Sequence, residues 1–163
     1  MNKINYAFID SQNLYRGVKS QGWTLDFSRF RIYLKDKFSV CQAYLFIGYL
    51  EKYQDLYHSL RQAGFNLIFK PTYPLRVKGQ TKIKGNVDAE LVLHSLVLYQ
   101  QYHQAVLVSG DGDFYCLARH LAGNNKLAKI LIPNRSAYSR LYSDLYPYLE
   151  FITPLKDKLK KEV

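Results

Sequence analysis

Ala105-Val106-Leu107-Val108-Ser109-Gly110-Asp111-Gly112-Asp113-Phe114 is the stretch that decides the fold of this chain. Four consecutive apolar residues predict a short strand buried on both faces. The run breaks into two glycines alternating with two aspartates, and a helical pattern follows over 114–121. A bare carboxylate beside a buried strand is costly unless it is paired or metal-bound. The flanking glycines would let backbone approach a ligand closely. In open α/β sheets the functional crevice lies where strands end at their carboxyl edge, which is where Asp111 falls.

The same arrangement occurs at the start of the chain. Tyr6-Ala7-Phe8-Ile9 is an apolar run closed by Asp10, and 11–19 reads as a helix entered directly from it. Further strands are predicted over 42–49, 65–69 and 127–132, with a short final one over 150–153. Helices are predicted over 27–38, 53–62, 87–102 (the longest), 114–121 and 136–146. Residues 71–85, with two prolines and two glycines, read as a loop or irregular ribbon. This alternation predicts an α/β fold, a Rossmann-like three-layer α/β/α arrangement with a mainly parallel sheet. Asp10 and Asp111 converge if the first and fourth strands are neighbours. Residues 1–155 read as one domain, and 156–163 as a charged tail, frayed or loosely helical.

Composition narrows the partners. The 163 residues carry 23 basic and 13 acidic side chains, a formal net charge of +10. With aspartates gathered at one site, the remaining surface is more basic than the total, which favours nucleic acid or another polyphosphate. At 48% hydrophobic the chain suits a packed core. No apolar run reaches the length of a membrane span, and residues 1–5 lack a leader's apolar segment, so a cytoplasmic location is expected. Cys41 and Cys116 read as buried reduced thiols without a zinc pattern. His58, His94, His103 and His120 show no metal-ligand spacing. Neither a phosphate-binding GxxxxGK[ST] loop nor a GxSxG or HExxH motif occurs.

The candidate site is acidic. Asp10, Asp88, Asp111 and Asp113, meeting in one cleft, would form an oxygen-rich site suited to Mg²⁺ or Mn²⁺. Local roles compete for some of them. Asp10 and Asp113 are each placed to cap a following helix. Asp88, in a first helical turn, gains about 0.3–1 kcal/mol from the helix dipole. Asp111 has no comparable local role. Glu90 lies about 200° around the helix from Asp88 and points elsewhere. Asn13 would orient Asp10 or contact a phosphate, and Ser109 either binds substrate or ends the strand. Lys70, Arg76, Lys78, Lys82 and Lys84 form a basic stretch with Tyr73 and no acid, suited to a nucleic-acid backbone and a stacked base.

Phe8-Ile9-Asp10 with Asn13, Lys84-Gly85-Asn86-Val87-Asp88 with Leu91, and Ser109-Gly110-Asp111-Gly112-Asp113-Phe114 together resemble the NYN domain family, a branch of the PIN-like nuclease superfamily, in its bacterial LabA-like part. The resemblance spans residues 4–153, and the last segment is its most specific. It implies five parallel strands ordered 3-2-1-4-5. It also implies Mg²⁺- or Mn²⁺-dependent phosphodiester hydrolysis, usually of RNA. Asp10, Asp88, Asp111 and Asp113 would be its acidic set, and Asn13 its accompanying polar residue. His94 stands where relatives often carry a further aspartate, which allows a weaker or single-metal site. The alternative is a PIN-like RNA-binding or regulatory module that cleaves poorly. A haloacid-dehalogenase-like phosphatase is disfavoured, because Gln12 occupies the place of its second aspartate. Tyrosine-rich surface leaves room for a homodimer.

Overall fold

The computed structural model describes residues 3–71, 73–84 and 86–163, with backbone alone for 73–77 and 80–84. The first strand, β1 (Asn5–Asp10), is buried along its whole length. Its side chains alternate between two cores, as a pleated strand requires. Ala7 and Ile9 join one, with Leu14, Val18, Phe30 and Leu34. Tyr6 and Phe8 join the other, with Leu91, Phe114, Leu117 and Tyr142. A strand apolar on both faces can only sit at the centre of a covered sheet.

From β1 the chain passes through α1 (Ser11–Lys19) and α2 (Phe27–Phe38) to β2 (Val40–Gly48), then through α3 (Gln54–Gln62) to β3 (Phe65–Lys70). It returns past β1 by way of α4 (Asp88–Val97) to β6 (Ala105–Val108), and continues through α5 (Tyr115–Gly123) to β7 (Leu127–Ile132) and β8 (Leu149–Phe151). Between β3 and α4 lie two further strands, β4 (Tyr73–Val77) and β5 (Gln80–Lys84). The main sheet is ordered β3-β2-β1-β6-β7-β8, every pairing parallel. It keeps the expected sequence of strands and adds the short sixth strand to the expected five. Successive strands run outward in both directions from β1 and β6, so the switch point lies between these two. Ile9 pairs with Val108, which brings Asp10 level with Ser109 at the carboxyl edge.

Several sequence-based boundaries move for physical reasons. The longest α-helix among the described residues is α2, not α4. Helix α4 stops near Val97, where buried Tyr102 folds back and its hydroxyl donates to the Ser95 carbonyl at 2.8 Å. The helix expected over 136–146 is instead two short 3-10 turns within Arg140–Tyr148, separated by a kink at Leu145, with Ser139 capping the first and Pro147 in the second. Residues 71–85, expected to be irregular, contain the regular antiparallel pair β4–β5, joined at Lys78-Gly79. Lys78 and Gly79 both have positive φ, 52° and 75°, the requirement of the two-residue turn that matches strand twist. Cys41 and Cys116 are exposed, not buried. Among the described residues no helix is long and apolar enough to cross a membrane.

The C-terminal segment also departs from expectation. Residues 156–159 form α6 (Lys156–Leu159), and Leu159 is fully buried in the core that contains Phe30 and Leu34. Backbone bonds from Asp26 to the Leu159 carbonyl and from Lys161 to the Thr24 carbonyl, both 2.8 Å, seat it. Leu159→Ala should therefore destabilise the protein by about 2–4 kcal/mol through lost burial and a residual cavity. A drop in melting midpoint below that of one degree would show the segment is not part of the core in solution.

Candidate metal centre

Asp10 ends β1 and caps α1, its Oδ1 accepting from the Asn13 backbone N–H at 3.2 Å. Strand pleat places it on the same face as Tyr6 and Phe8, the face that α4 covers. Asp88 opens α4, and Asp111 follows β6. One carboxylate oxygen from each of Asp10, Asp88 and Asp111 lies within 4.8 Å of the others. These three line a cleft of about 610 Å³ that also includes Asn13, Arg16, Asn86 and Asn134. Asp113 lies outside that trio, and its carboxyl is among the causes that raise the Asp88 pKa.

Hydrogen bonds from uncharged groups hold the acids at this distance. Asn13 Oδ1 accepts from the Gly110 N–H at 2.8 Å, tying the start of α1 to the turn after β6. Buried Ser109 donates to Asp10 Oδ2 at 3.4 Å and accepts from the Asp111 N–H at 3.1 Å. It stands behind the carboxylates and braces them. Asp111 has a local role that sequence reasoning did not assign: its Oδ1 accepts from the Asp113 N–H at 2.9 Å and caps the 3-10 turn Gly112–Phe114. The Tyr142 hydroxyl donates to the Asp111 carbonyl. Burial, then the surrounding aspartates, raise this phenol above its ordinary range, so it remains a donor. Gly110 and Gly112 serve packing. A Cβ at Gly112 would lie 2.5 Å from Ser139 Oγ, and one at Gly110 3.1 Å from Tyr138 Cβ.

Other predicted positions fall elsewhere. Glu90 pairs with Lys70 at 3.5 Å, away from the acids, as its helical angle required. His94 bonds through Nδ1 to the Glu90 carbonyl and packs edge-on against Phe46, so it is no substitute for an acidic ligand. Lys78 is exposed at the β4–β5 turn. Lys82 and Lys84 are in register with Leu75 and Tyr73, and Arg76 with Thr81. The side chains of Arg76, Lys82 and Lys84 lie outside the described residues. Sequence reasoning missed Arg16 and Tyr142. For Arg16 a signal existed, since it follows Asn13 by three residues and so shares its helix face.

The donor set fits a hard divalent cation. It supplies carboxylate oxygens alone, the ligands that Mg²⁺ and Mn²⁺ favour. Among the described residues no lysine or arginine forms an ion pair with Asp10, Asp88, Asp111 or Asp113. Repulsion shows in the acidities. Burial, then the hydrogen bond with Asp113 and the charges of Asp10 and Asp111, push Asp88 from 3.8 up to about 6, against a lowering bond from Asn86. Burial and the Asp111 charge also raise Asp10, while the Asn13 N–H and the Ser109 hydroxyl oppose that shift. A carboxyl that holds its proton more tightly when folded favours the folded state at low pH. Metal-free protein should thus lose stability as pH rises from about 4 to about 6, then level off. Asp88→Asn should flatten that loss, and Mn²⁺ should bind more tightly as pH rises through the same window. Melts in chelator and in Mn²⁺ across pH 4–7 test this, and a parent curve no steeper than that of Asp88→Asn would contradict it.

Comparison with known proteins bears on the fold and the family. The chain is 29% identical over 121 residues to the low amplitude and bright protein LabA of Synechococcus elongatus, an alignment covering 66% of this chain and 61% of LabA. It thus spans less than two thirds of that relative. A crystal structure of a Vibrio parahaemolyticus protein of unknown function shares the fold, with a TM-score of 0.75, 24% identity, and coverage of 98% of this chain and 96% of that one. The NYN domain family model matches residues 6–144, which include all four aspartates, and the chain belongs to the NYN domain family.

Proposed function

We propose that this NYN domain is a Mg²⁺- or Mn²⁺-dependent nuclease that hydrolyses phosphodiester bonds in RNA. The observation that carries the reading is the meeting of Asp10, Asp88 and Asp111 at the sheet's switch point, within 4.8 Å and without an ion pair to any of them among the described residues. Asp10, Asp88 and Asp111 would hold the cation, and Asp113 would support it through Asp88. A bound divalent ion supplies a water of lowered pKa and neutralises charge on the leaving oxygen. The chain contributes the rest. Asn13, Ser109 and Tyr142 fix the carboxylates before substrate arrives, so little reorganisation remains at the moment of reaction. The cleft, about 610 Å³, has room for a nucleotide beside the acids. Basic side chains on the β4–β5 pair would hold flanking phosphates, with affinity that falls as salt rises.

Asp10→Asn or Asp111→Asn should abolish metal-dependent cleavage of labelled single-stranded RNA while leaving the fold intact, because an amide is a weaker ligand for a hard cation. In chelator, Asp111→Asn should melt at or above the parent, since the amide keeps the oxygen that caps the 3-10 turn and removes one charge. It should gain little from Mn²⁺, whereas the parent should gain about 2.7 kcal/mol at a hundredfold excess over Kd. Parental cleavage rates in both folded variants would rule the metal centre out.

Replacing Arg76, Lys78 and Lys82 together with glutamine should weaken binding to many sequences about equally. The slope of log affinity against log salt should fall by up to roughly 0.7 per lost contact on single strands. An unchanged slope would remove the β4–β5 pair from the interface. RNA binding without any metal-dependent cleavage by the parent would instead support a binding or regulatory module.

A further inference from the structure

Helix α1 forms one wall of the cleft, and most polar side chains on that wall are already engaged. Asn13 is tied to Gly110. The Ser20 hydroxyl donates to the Gly17 carbonyl at 2.8 Å and accepts from Asn134 Nδ2 at 3.0 Å. Asn134 Oδ1 accepts from the Ser136 N–H at 2.9 Å. Asn86 is bonded to Asp88. Two lining side chains are left, Gln12 and Arg16. Both are exposed, and among the described residues neither side chain makes a hydrogen bond or ion pair. They are four residues apart and so lie one above the other on a single helix face. Arg16 is the sole cation among the cleft's described lining residues, and it stands about one and a half turns from Asp10 without pairing to it.

The wall that carries Arg16 is fixed. Gln21 Nε2 donates to the Gly17 carbonyl at 2.8 Å and to the Pro133 carbonyl at 2.9 Å, clamping α1 to the turn after β7. A Cβ at Gly17 would lie 2.6 Å from Pro133 Cβ, so only glycine permits this approach. A guanidinium held in a polar cleft beside a carboxylate cluster, yet unpaired, has its planar fork free for a tetrahedral oxyanion, which it binds through two parallel hydrogen bonds. An amide one turn away offers both a donor and an acceptor, which suits a sugar hydroxyl.

We infer that Arg16 binds the backbone phosphate next to the scissile one, with Gln12 on the sugar between them, so that single-stranded nucleic acid runs along α1 from the acidic centre toward Asn134. This rests on the nuclease reading for what is cut, but the contact itself is measurable without cleavage. The probe is a dye-labelled single-stranded RNA of mixed sequence, its affinity followed by anisotropy over a salt series in chelator. Arg16→Gln should bind about tenfold more weakly, as loss of a charged hydrogen bond implies. Its salt slope should be shallower by roughly 0.7. Arg16→Lys should recover the slope. As the side chain is exposed and unpaired, Arg16→Gln should melt like the parent and keep the parent's stabilisation by Mn²⁺. Equal affinity and slope in parent and Arg16→Gln would overturn the inference even if the parent cleaves. A parent that binds through Arg16 but neither cleaves nor gains stability from Mn²⁺ would sink the nuclease reading and leave the Arg16 contact standing.

Discussion

Mutual repulsion among carboxylates is the constraint around which this molecule is arranged. Asp10, Asp88 and Asp111 come from three separate segments and meet within 4.8 Å in a half-buried cleft. Like charges at such range oppose folding unless a proton or a cation lies between them. The opposing restraint is spread over small contacts from uncharged groups: the Asn13–Gly110 bond, the Ser109 bridge, and the Tyr142 hydroxyl on the Asp111 carbonyl. Each is modest by itself, about 1 kcal/mol for a typical hydrogen bond and about 1.5–3 kcal/mol for one to a charged group. Together they act on one short turn, and that turn is welded to two strands buried on both faces.

Those strands explain why the site can carry strain at all. β1 and β6 occupy the centre of the sheet, where helices cover both faces and register cannot slip without exposing an entire apolar set. The pairing of Ile9 with Val108 therefore fixes the height of Asp10 against Ser109. Asp88 comes from a different direction, at the start of α4, packed on the sheet through Val87 and Leu91. The site thus draws rigidity from the core instead of from counter-charges, and that leaves carboxylate oxygens available to a ligand.

Charge is divided accordingly. The chain is basic overall, yet its cleft concentrates aspartates and admits a single arginine among the described lining residues. A polyanion would be attracted to the basic surface and to Arg16, and only the phosphate set directly on the three acids would need a divalent cation to offset repulsion. In the proposed nuclease such an arrangement would couple substrate binding to metal binding, because a cation that neutralises the acids would also remove the barrier to phosphate approach.

Sequence by itself determined the sheet and the acids. Apolar runs ending in Asp10 and before Asp111 specify central parallel strands, since only a doubly covered sheet buries both faces. The alternation of elements specified a mainly parallel α/β sheet, the resemblance to the NYN domain family implied the strand order from β3 to β7, and the motifs around Asp10, Asp88 and Asp111 marked the centre. Contacts between distant segments were not legible. Nothing local shows that Tyr142 would reach the Asp111 carbonyl, that Tyr102 would end α4, or that Leu159 would enter the core. Cys41 and Cys116 looked buried by residue type, but exposure depends on which helix or strand face a position occupies in the packed molecule. The glycines at 110 and 112 looked like room for a ligand and proved to be room for the 138–139 backbone and side chains. Periodicity encodes which face of an element is apolar. Which distant segment comes to lie against that face is set by packing, and only the tertiary structure decided it.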